Sequence, residues 1–222
     1  MADYRIQRLS RLQAITARNM HQAQRETAHA TLHSECDVTT LVTLLGQGAD
    51  GLAFPLSTYV IYALVQTLKE HPALNAHLAI DELCIYERIK LGLMVPTELG
   101  VMMACIADAG AMNLHTLDAA LHGLYKRART GRFELSETRG ATFMVADLSA
   151  YPVDAFTPIL LPSAIAILGI GRTRAVCLPT AAKCRPAHLL ALSLTFDHRG
   201  TDGLATARFL KDIAGRLEQP EG

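Results

Sequence analysis

The chain has 222 residues, 50% of them hydrophobic and 19% charged, so it can bury a large core. Its 21 basic and 21 acidic side chains balance at a sequence pI of about 7.1, which argues against a nucleic-acid binder, because phosphate contacts need clustered Lys and Arg. No linker rich in Pro, Gly, Ser or charge divides the chain, so we expect one domain over residues 1–222.

Signal segments and cysteines bear on where the protein works. No charged-then-apolar signal opens the chain, and the longest apolar run, 158–171, is interrupted by Pro162 and Ser163 and is too short to span a bilayer, so no membrane partner is expected. The cysteines form no CxxC pair and lie largely in apolar segments, which favours reduced, buried thiols and a cytoplasmic location. They are Cys36, Cys84, Cys105, Cys177 and Cys184. A mean hydropathy of +0.20 favours buried subunit interfaces.

Apolar periodicity, caps and turn residues predict elements along the chain. Ser10 is suited to cap the first helix, and Pro72 ends a long apolar stripe as proline does at a helix terminus. The expected elements are a helix over 10–24, a strand over 30–38, helices over 40–45 and 56–71, strands over 83–86, 89–95 and 101–106, a helix over 116–129, strands over 141–148, 164–169 and 189–196, and a helix over 204–213. This irregular alternation predicts an α/β fold with a mixed sheet covered by helices.

The most informative segment lies between the last predicted strand and the last predicted helix. It places His198 four residues before Asp202, with Gly203 immediately after, in a loop between two rigid elements. A histidine can carry a proton near neutral pH, a nearby carboxylate can hold its ring, and a glycine lets backbone approach a substrate. The segment therefore predicts His198 as a general base supported by Asp202.

The sequence LSLTFDHRGTDGLATARFLKDI resembles the C-terminal signature of the acyltransferase subunits of 2-oxo-acid dehydrogenase complexes, which share a DHRxxDG motif. It is also similar to the HHxxxDG version in chloramphenicol acetyltransferases. Further landmarks of the first family follow in order at residues 9–20, 28–41, 71–76 and 156–172. The resemblance implies a chloramphenicol-acetyltransferase-like fold in a single domain, assembled as a homotrimer whose active sites form between subunits.

In these families the motif histidine removes a proton from a thiol of coenzyme A or dihydrolipoamide, and the thiolate attacks the partner's thioester. By motif position His198 is that base, and Asp202 positions the loop and ring through an arginine such as Arg18, with Gly203 in a supporting position. The resemblance implies a coenzyme A thioester as co-substrate and no metal. It assigns no residue to coenzyme binding.

The chain departs from the family at two places in the site. The family's serine, which donates a hydrogen bond to the carbonyl oxygen, is replaced by Ala146, so either Ser149 or Thr142, a water or a backbone N–H substitutes, or transacylation is weak or absent. In a second stretch, a family proline is Ala104 and a family arginine is Ala107, which places coenzyme affinity in doubt.

A third departure concerns modules. The resemblance begins almost at Met1, so we expect no lipoyl domain, no peripheral subunit-binding domain and no covalent lipoyl group on this chain. Any lipoyl donor is then a separate lipoyl-bearing or dehydrogenase-complex protein. The leading hypothesis is a free-standing coenzyme A-dependent acyltransferase that transfers an acyl group to a thiol, hydroxyl or amine. The alternative is a non-catalytic trimeric scaffold that has lost the oxyanion donor at Ala146.

Other patterns carry less weight. His29 and His33 have the spacing of a metal pair on a helix, but the surrounding residues favour a strand and no acidic partner is present. A Gly-Ile-Gly sequence at 169–171 lacks the third glycine of a dinucleotide loop. Four methionines in apolar strands suit either core filling or an acyl channel. They are Met94, Met102, Met103 and Met144.

Overall fold

Five α-helices and eight β-strands make up the described part of the chain in a computed structural model, which describes residues 3–46, 54–97, 100–130, 133–179 and 183–220. The helices are α1 (Arg11–Glu26), α2 (Thr39–Gly46), α3 (Leu56–Glu70), α4 (Leu114–Thr130) and α5 (Gly203–Glu218). The strands are β1 (His29–Asp37), β2 (Ala76–Leu78), β3 (Leu83–Ile85), β4 (Leu91–Thr97), β5 (Gly100–Ile106), β6 (Phe143–Asp147), β7 (Ala166–Pro179) and β8 (Cys184–Asp197).

Helix ends follow the local chemistry that the sequence predicts. Ser10 caps α1 in a reciprocal pair, because its hydroxyl accepts the N–H of Gln13 at 3.1 Å and the Gln13 side chain accepts the N–H of Ser10 at 2.8 Å. Helix α3 ends at Glu70, just before Pro72, which cannot continue a helix. The predicted positions of all five helices are confirmed, although α5 continues five residues past 213, to Glu218.

A six-stranded sheet in the order β1-β8-β7-β6-β4-β5 forms the centre of the fold. Strand β6 pairs in parallel with both β4 and β7, while the other pairs are antiparallel, so the sheet is mixed as expected. Strands β2 and β3 form a separate small antiparallel sheet. The mixed sheet covered by helices confirms the predicted fold class.

The two faces of the large sheet differ in what covers them. On one face the helices enclose the main core, in which Phe143, Phe196 and Phe209 are fully buried. We call the other side the helix-free face, because its apolar cluster contains no residue from any helix that the structure describes. That cluster consists of Cys105, Ala141, Met144, Leu160, Ala164 and Ile167, with Met103, Ala146 and Leu161 packed partly exposed against it.

The β7–β8 hairpin is much longer than predicted, and it corrects the expectation for the cysteines. The strands run to Pro179 and Cys184, where the sequence analysis placed them only at 164–169 and 189–196. This extension brings Cys177 and Cys184, seven residues apart, to a Cα–Cα distance of 5.6 Å in a disulfide. The prediction of five reduced thiols is therefore wrong for this pair. Cys36, Cys84 and Cys105 are free, and Cys84 is exposed.

Within the described ranges, no helix is long and apolar enough to cross a membrane. Nor do those residues contain a group of three or more His, Cys, Asp or Glu side chains arranged to hold a metal ion. His29 and His33 lie on strand β1, where their rings contact the hydroxyls of Thr27 and Ser193.

Candidate active site

His198 stands at the start of the loop between β8 and α5, with its backbone fixed and its ring exposed. Its N–H donates to the carbonyl of Ala28 at 2.9 Å, which ties the loop to the segment before β1. The ring lies 5.5 Å, centroid to centroid, from the buried ring of Phe196. It forms no hydrogen bond with a described residue. An imidazole held in this way is available to a substrate or to a second subunit.

Asp197 organises the loop. Its side chain is only 1% exposed, and one carboxylate oxygen accepts the N–H groups of Ala28 at 3.2 Å and of Arg199 at 3.1 Å. The guanidinium of Arg199 also donates to both oxygens, at 3.0 Å from Nε and 2.6 Å from Nη2. Burial raises the pKa of Asp197, but the hydrogen bonds from Arg199 and Ala28 outweigh it and hold the pKa below its ordinary value. This carboxylate was not predicted from the sequence, although an Asp-x-Arg pattern at the end of a buried strand indicates it.

Asp202 supports the loop through the helix and makes no hydrogen bond to the ring of His198. One of its carboxylate oxygens accepts the N–H of Ala205 at 2.7 Å, which makes it the N-cap of α5. Its backbone carbonyl accepts the hydroxyl of buried Thr206 at 2.8 Å. The predicted support for the loop is thus visible within the chain, whereas direct support for the ring is not.

Two other supporting residues of the prediction behave differently from expectation. Arg18 is exposed on α1 and makes no hydrogen bond or ion pair with a described residue, so the arginine bound to a motif carboxylate is Arg199. A side chain at Gly203 would meet nothing within 4 Å. A Cβ at Gly200, in contrast, would lie 2.5 Å from the Cδ1 of Ile165, so Gly200 is the loop glycine that close packing requires.

Ala146 lies near the end of β6, on the helix-free face and partly exposed. Neither predicted substitute donor lies beside it. Thr142 lies just before β6, four residues and roughly 13 Å from Ala146, and its hydroxyl accepts the N–H of Lys90 at 3.0 Å. Ser149 lies beyond the strand end, in a turn where its N–H donates to Asp147 at 2.8 Å. No serine or threonine of the described β6 region replaces the missing donor.

The sheet register separates His198 from Ala146 within one chain. Ala146 pairs with Gly169, and Gly169 pairs with Ser193, so two strand spacings lie between Ala146 and Ser193. His198 then follows Ser193 by five residues. With strand spacings near 4.8 Å and rises near 3.3 Å per residue, the two Cα atoms are roughly 20 Å apart. One chain alone therefore does not bring the histidine to the position of the missing donor.

The second altered stretch divides between core and surface. Ala104 is fully buried in β5 on the helix-covered face, where it packs in the main core. Ala107 is exposed just after that strand and adds no charge to the surface.

The fold is that of a chloramphenicol-acetyltransferase-like domain: a solved chloramphenicol acetyltransferase superposes with a TM-score of 0.58 at 14% identity, covering 90% of this chain and 94% of that one. More narrowly, the chain belongs to the 2-oxoacid dehydrogenases acyltransferase (catalytic domain) family, whose model matches residues 1–222. The family match confirms the resemblance carried by the DHRxxDG segment, and the superposition confirms the predicted fold.

Curated relatives extend this similarity. The acetyltransferase component of the acetoin cleaving system of Bacillus subtilis is 32% identical over 94% of this chain, and the succinyltransferase component of the 2-oxoglutarate dehydrogenase complex of Rickettsia bellii is 30% identical over 96%. Both are dihydrolipoyllysine-residue acyltransferases by name. The matches cover 54% and 55% of those relatives, so the chain spans about half of their length.

A solved structure matches more closely than the chloramphenicol acetyltransferase does. The dihydrolipoamide acetyltransferase of Azotobacter vinelandii, studied for the roles of a serine, a histidine and an asparagine in its catalytic mechanism, superposes with a TM-score of 0.91. The two chains are 28% identical, and the match covers 98% of this chain and 92% of that one.

Proposed function

We propose that this chain is a coenzyme A-dependent acyltransferase that moves an acyl group between a thioester and a thiol, hydroxyl or amine acceptor. His198 takes the proton from the acceptor as the acceptor attacks the thioester carbonyl carbon, and coenzyme A leaves as the thiol. The observation that carries this proposal is the state of His198, whose backbone is fixed by Ala28 while its ring is exposed and uncommitted.

Residue spacing in the relatives supports the same roles. In the Azotobacter vinelandii enzyme, the intervals from the serine to the histidine and from the histidine to the asparagine equal those from Ala146 to His198 and from His198 to Asp202. These equal intervals support the proposal that His198 and Ala146 correspond to the studied histidine and serine, and that Asp202 corresponds to the asparagine. Either aspartate or asparagine can cap a helix.

The working unit we propose is a homotrimer in which each site combines His198 of one subunit with Ala146 of the next. The support is the separation of roughly 20 Å between these residues along one sheet. In this arrangement the exposed ring of His198 is completed by the helix-free face of a neighbour. The acyl acceptor we propose to test first is a dihydrolipoyl group, because the relatives are named as dihydrolipoyllysine-residue acyltransferases.

The missing donor lowers the rate we expect. General-base catalysis is worth roughly 10²–10⁴ in rate, and an oxyanion donor adds about 10²–10³. With Ala146 in place of the serine, this chain keeps the contribution of the general base and lacks a side-chain oxyanion donor. A slow acyltransferase is therefore the expected result.

The first test measures transfer from acetyl-coenzyme A to dihydrolipoamide by the wild-type chain and by the variant His198→Ala. Loss of the base should lower kcat by about 10² or more. The matched control is His122→Ala, because His122 is exposed on α4 and bonds only within its own helix. Equal rates for the wild-type chain and His198→Ala would remove the enzymatic proposal for this acceptor.

A second candidate function is a non-catalytic trimeric scaffold, and the alanine at position 146 favours it. The variant Ala146→Ser separates the two functions, because it restores a hydroxyl at the partly exposed end of β6. An acyltransferase that lacks only the donor should gain up to about 10²-fold in kcat from this change. A scaffold should show no turnover before or after it.

A further inference from the structure

Comparison with relatives leaves the acyl group open, because acetyltransferases and succinyltransferases match this chain at nearly equal identity, 32% and 30%. The two groups differ chemically at one point: a succinyl group ends in a carboxylate, whereas an acetyl group is apolar. The surroundings of Ala146 distinguish them, because a thioester carbonyl placed at that position directs its acyl chain along the neighbouring side chains of the sheet.

A row of side chains crosses the helix-free face through Ala146. Met103 pairs with Met94, Met94 pairs with Ala146, and Ala146 pairs with Gly169, so these side chains lie side by side on four strands. Gly169 leaves room for the ring of Phe156, since a Cβ there would lie 2.8 Å from the ring's Cζ. Ala146 thus forms the floor of a notch with Met94 on one side and Phe156 on the other.

No charged side chain belongs to this row among the residues that the structure describes. The cations nearest along β7, Arg172 and Arg174, are both engaged by Asp154, and Arg174 is also engaged by Glu35. Just before β4, the amino group of Lys90 donates to the carbonyl of Ser136 at 2.8 Å. Each of these three cations already has a partner, so none of them is free to pair with a carboxylate in the notch.

We propose that the notch formed by Met94, Ala146 and Phe156 restricts the enzyme to small, uncharged, apolar acyl groups such as acetyl and isobutyryl, and excludes succinyl. This inference rests on the proposed function. Its physical basis is that a carboxylate moved from water into an apolar site without a cation loses hydration that nothing replaces. The thioether of Met94 and the ring of Phe156 instead favour alkyl groups through dispersion and burial.

The experiment compares acetyl-, isobutyryl- and succinyl-coenzyme A as donors to dihydrolipoamide, by kcat/KM and by calorimetric titration of the same thioesters. Acetyl and isobutyryl should exceed succinyl by at least about 10²-fold. Met94→Arg places a cation beside Ala146 and should shift the ratio towards succinyl by roughly 10-fold or more. Met94→Leu should keep the apolar preference, and Leu44→Arg adds the same charge on α2, away from the helix-free face.

The outcomes distinguish a failure of the proposed selectivity from a failure of the proposed acyltransferase function. Equal use of the three thioesters, or a preference for succinyl, would overturn the proposed selectivity of the notch but not the proposed acyltransferase activity. Turnover of none of them would remove the proposed function, and the titration then decides: weaker binding of succinyl than of acetyl supports the notch, and equal or absent binding overturns it. If Met94→Arg does not fold, the titration of the wild-type chain decides alone.

Discussion

At the scale of single residues, the motif separates two tasks that a histidine base requires. One is to fix the backbone, and the buried carboxylate of Asp197 does this by joining the N–H groups of Ala28 and Arg199 on one oxygen. The other is to leave the ring free for a proton, and the exposed position of His198 provides this. A residue that fixes the loop without touching a substrate is a positioning residue, and its loss should affect the rate more than binding.

The variant Asp197→Asn tests this role. It keeps the shape of the side chain but removes the charge that pairs with Arg199, and we expect kcat to fall about 10-fold while KM for acetyl-coenzyme A changes little. The free energy of unfolding at pH 7 should fall by about 1–3 kcal/mol, because the remaining hydrogen bonds are weaker and Arg199 is half exposed to water. Steady-state kinetics and urea unfolding measure the two quantities.

The stability difference should depend on pH with a definite sign. The pKa of Asp197 is lower in the folded chain than in the unfolded one. The carboxylate therefore adds to the free energy of unfolding above about pH 4, and this contribution is lost as the pH falls through the folded pKa. The difference in the free energy of unfolding between the wild-type chain and Asp197→Asn should therefore disappear at acid pH. Asp154→Asn, at an exposed ion pair, is the control. A gap that stays constant down to pH 2 would contradict the role given to the charge.

Residue roles were only partly predictable from the sequence. The place of His198, in a loop between a strand and a helix, could be predicted from the sequence, and its role as a base stays a prediction. Asp202 was expected to position both the loop and the ring. Within the chain it caps α5, since an aspartate just before a helix satisfies that helix's free N–H groups wherever the ring lies. Gly200 was missed because the apolar side chain that requires it, Ile165, is 35 residues earlier in the sequence.

At the scale of elements, the β7–β8 hairpin shows where periodicity fails. Its inner half is apolar and was predicted as strand. Its outer half carries charged side chains, a pattern typical of a loop. These strands are held by contacts across the fold, such as Arg174 with Glu35 and Arg185 with Asp37. Helix α1 was predictable because the Ser10 cap lies next to it in the sequence. The ion pairs that hold the outer hairpin join residues 139 and 148 positions apart, so they leave no local pattern in the sequence.

The cysteines provide a direct test of this hairpin. Without reductant, alkylation of the native chain at pH 8 should modify exposed Cys84 and spare the paired Cys177 and Cys184. Burial raises the pKa of Cys36 to about 12 and raises the pKa of Cys105, so neither should react until the chain unfolds. Peptide mass spectrometry assigns each modified site.

Reduction provides the comparison for the same experiment. After mild reductant, Cys177 and Cys184 should become reactive while Cys36 stays protected, because the hairpin end is exposed and Cys36 lies in the core. Rapid modification of Cys177 before reduction would show that the thiols are free in solution and would restore the expectation made from the sequence.

At the scale of the whole molecule, helices close one face of the sheet, whereas no described helix contributes to the apolar cluster on the other face. The pattern of elements predicted the class of fold with its mixed sheet, and the family resemblance added the expectation of a trimer. The pattern did not predict the strand order, because that order brings together residues from opposite ends of the chain, as in the pairing of β1 with β8. The register then adds what no pattern contains, namely that His198 and Ala146 lie roughly 20 Å apart in one subunit.

A site shared between subunits predicts that two inactive variants restore each other. His198→Ala lacks the base, and Ala146→Trp fills the notch, so each alone should form inactive trimers of normal mass by light scattering. In a mixed trimer, one of the three interfaces joins an intact His198 from one variant to an intact Ala146 from the other. Three quarters of randomly mixed trimers are mixed, so a 1:1 mixture should regain about a quarter of wild-type activity.

The same mixture distinguishes this geometry from a site within one chain. If each subunit held a complete site, every subunit in the mixture would carry one defect, and no combination would restore turnover. The variants must therefore be unfolded and refolded together, with separately refolded samples combined afterwards as the control for exchange. Recovery only after joint refolding supports a shared site, whereas trimers that form and mix but stay inactive would contradict the placement of His198 against the partner subunit's Ala146.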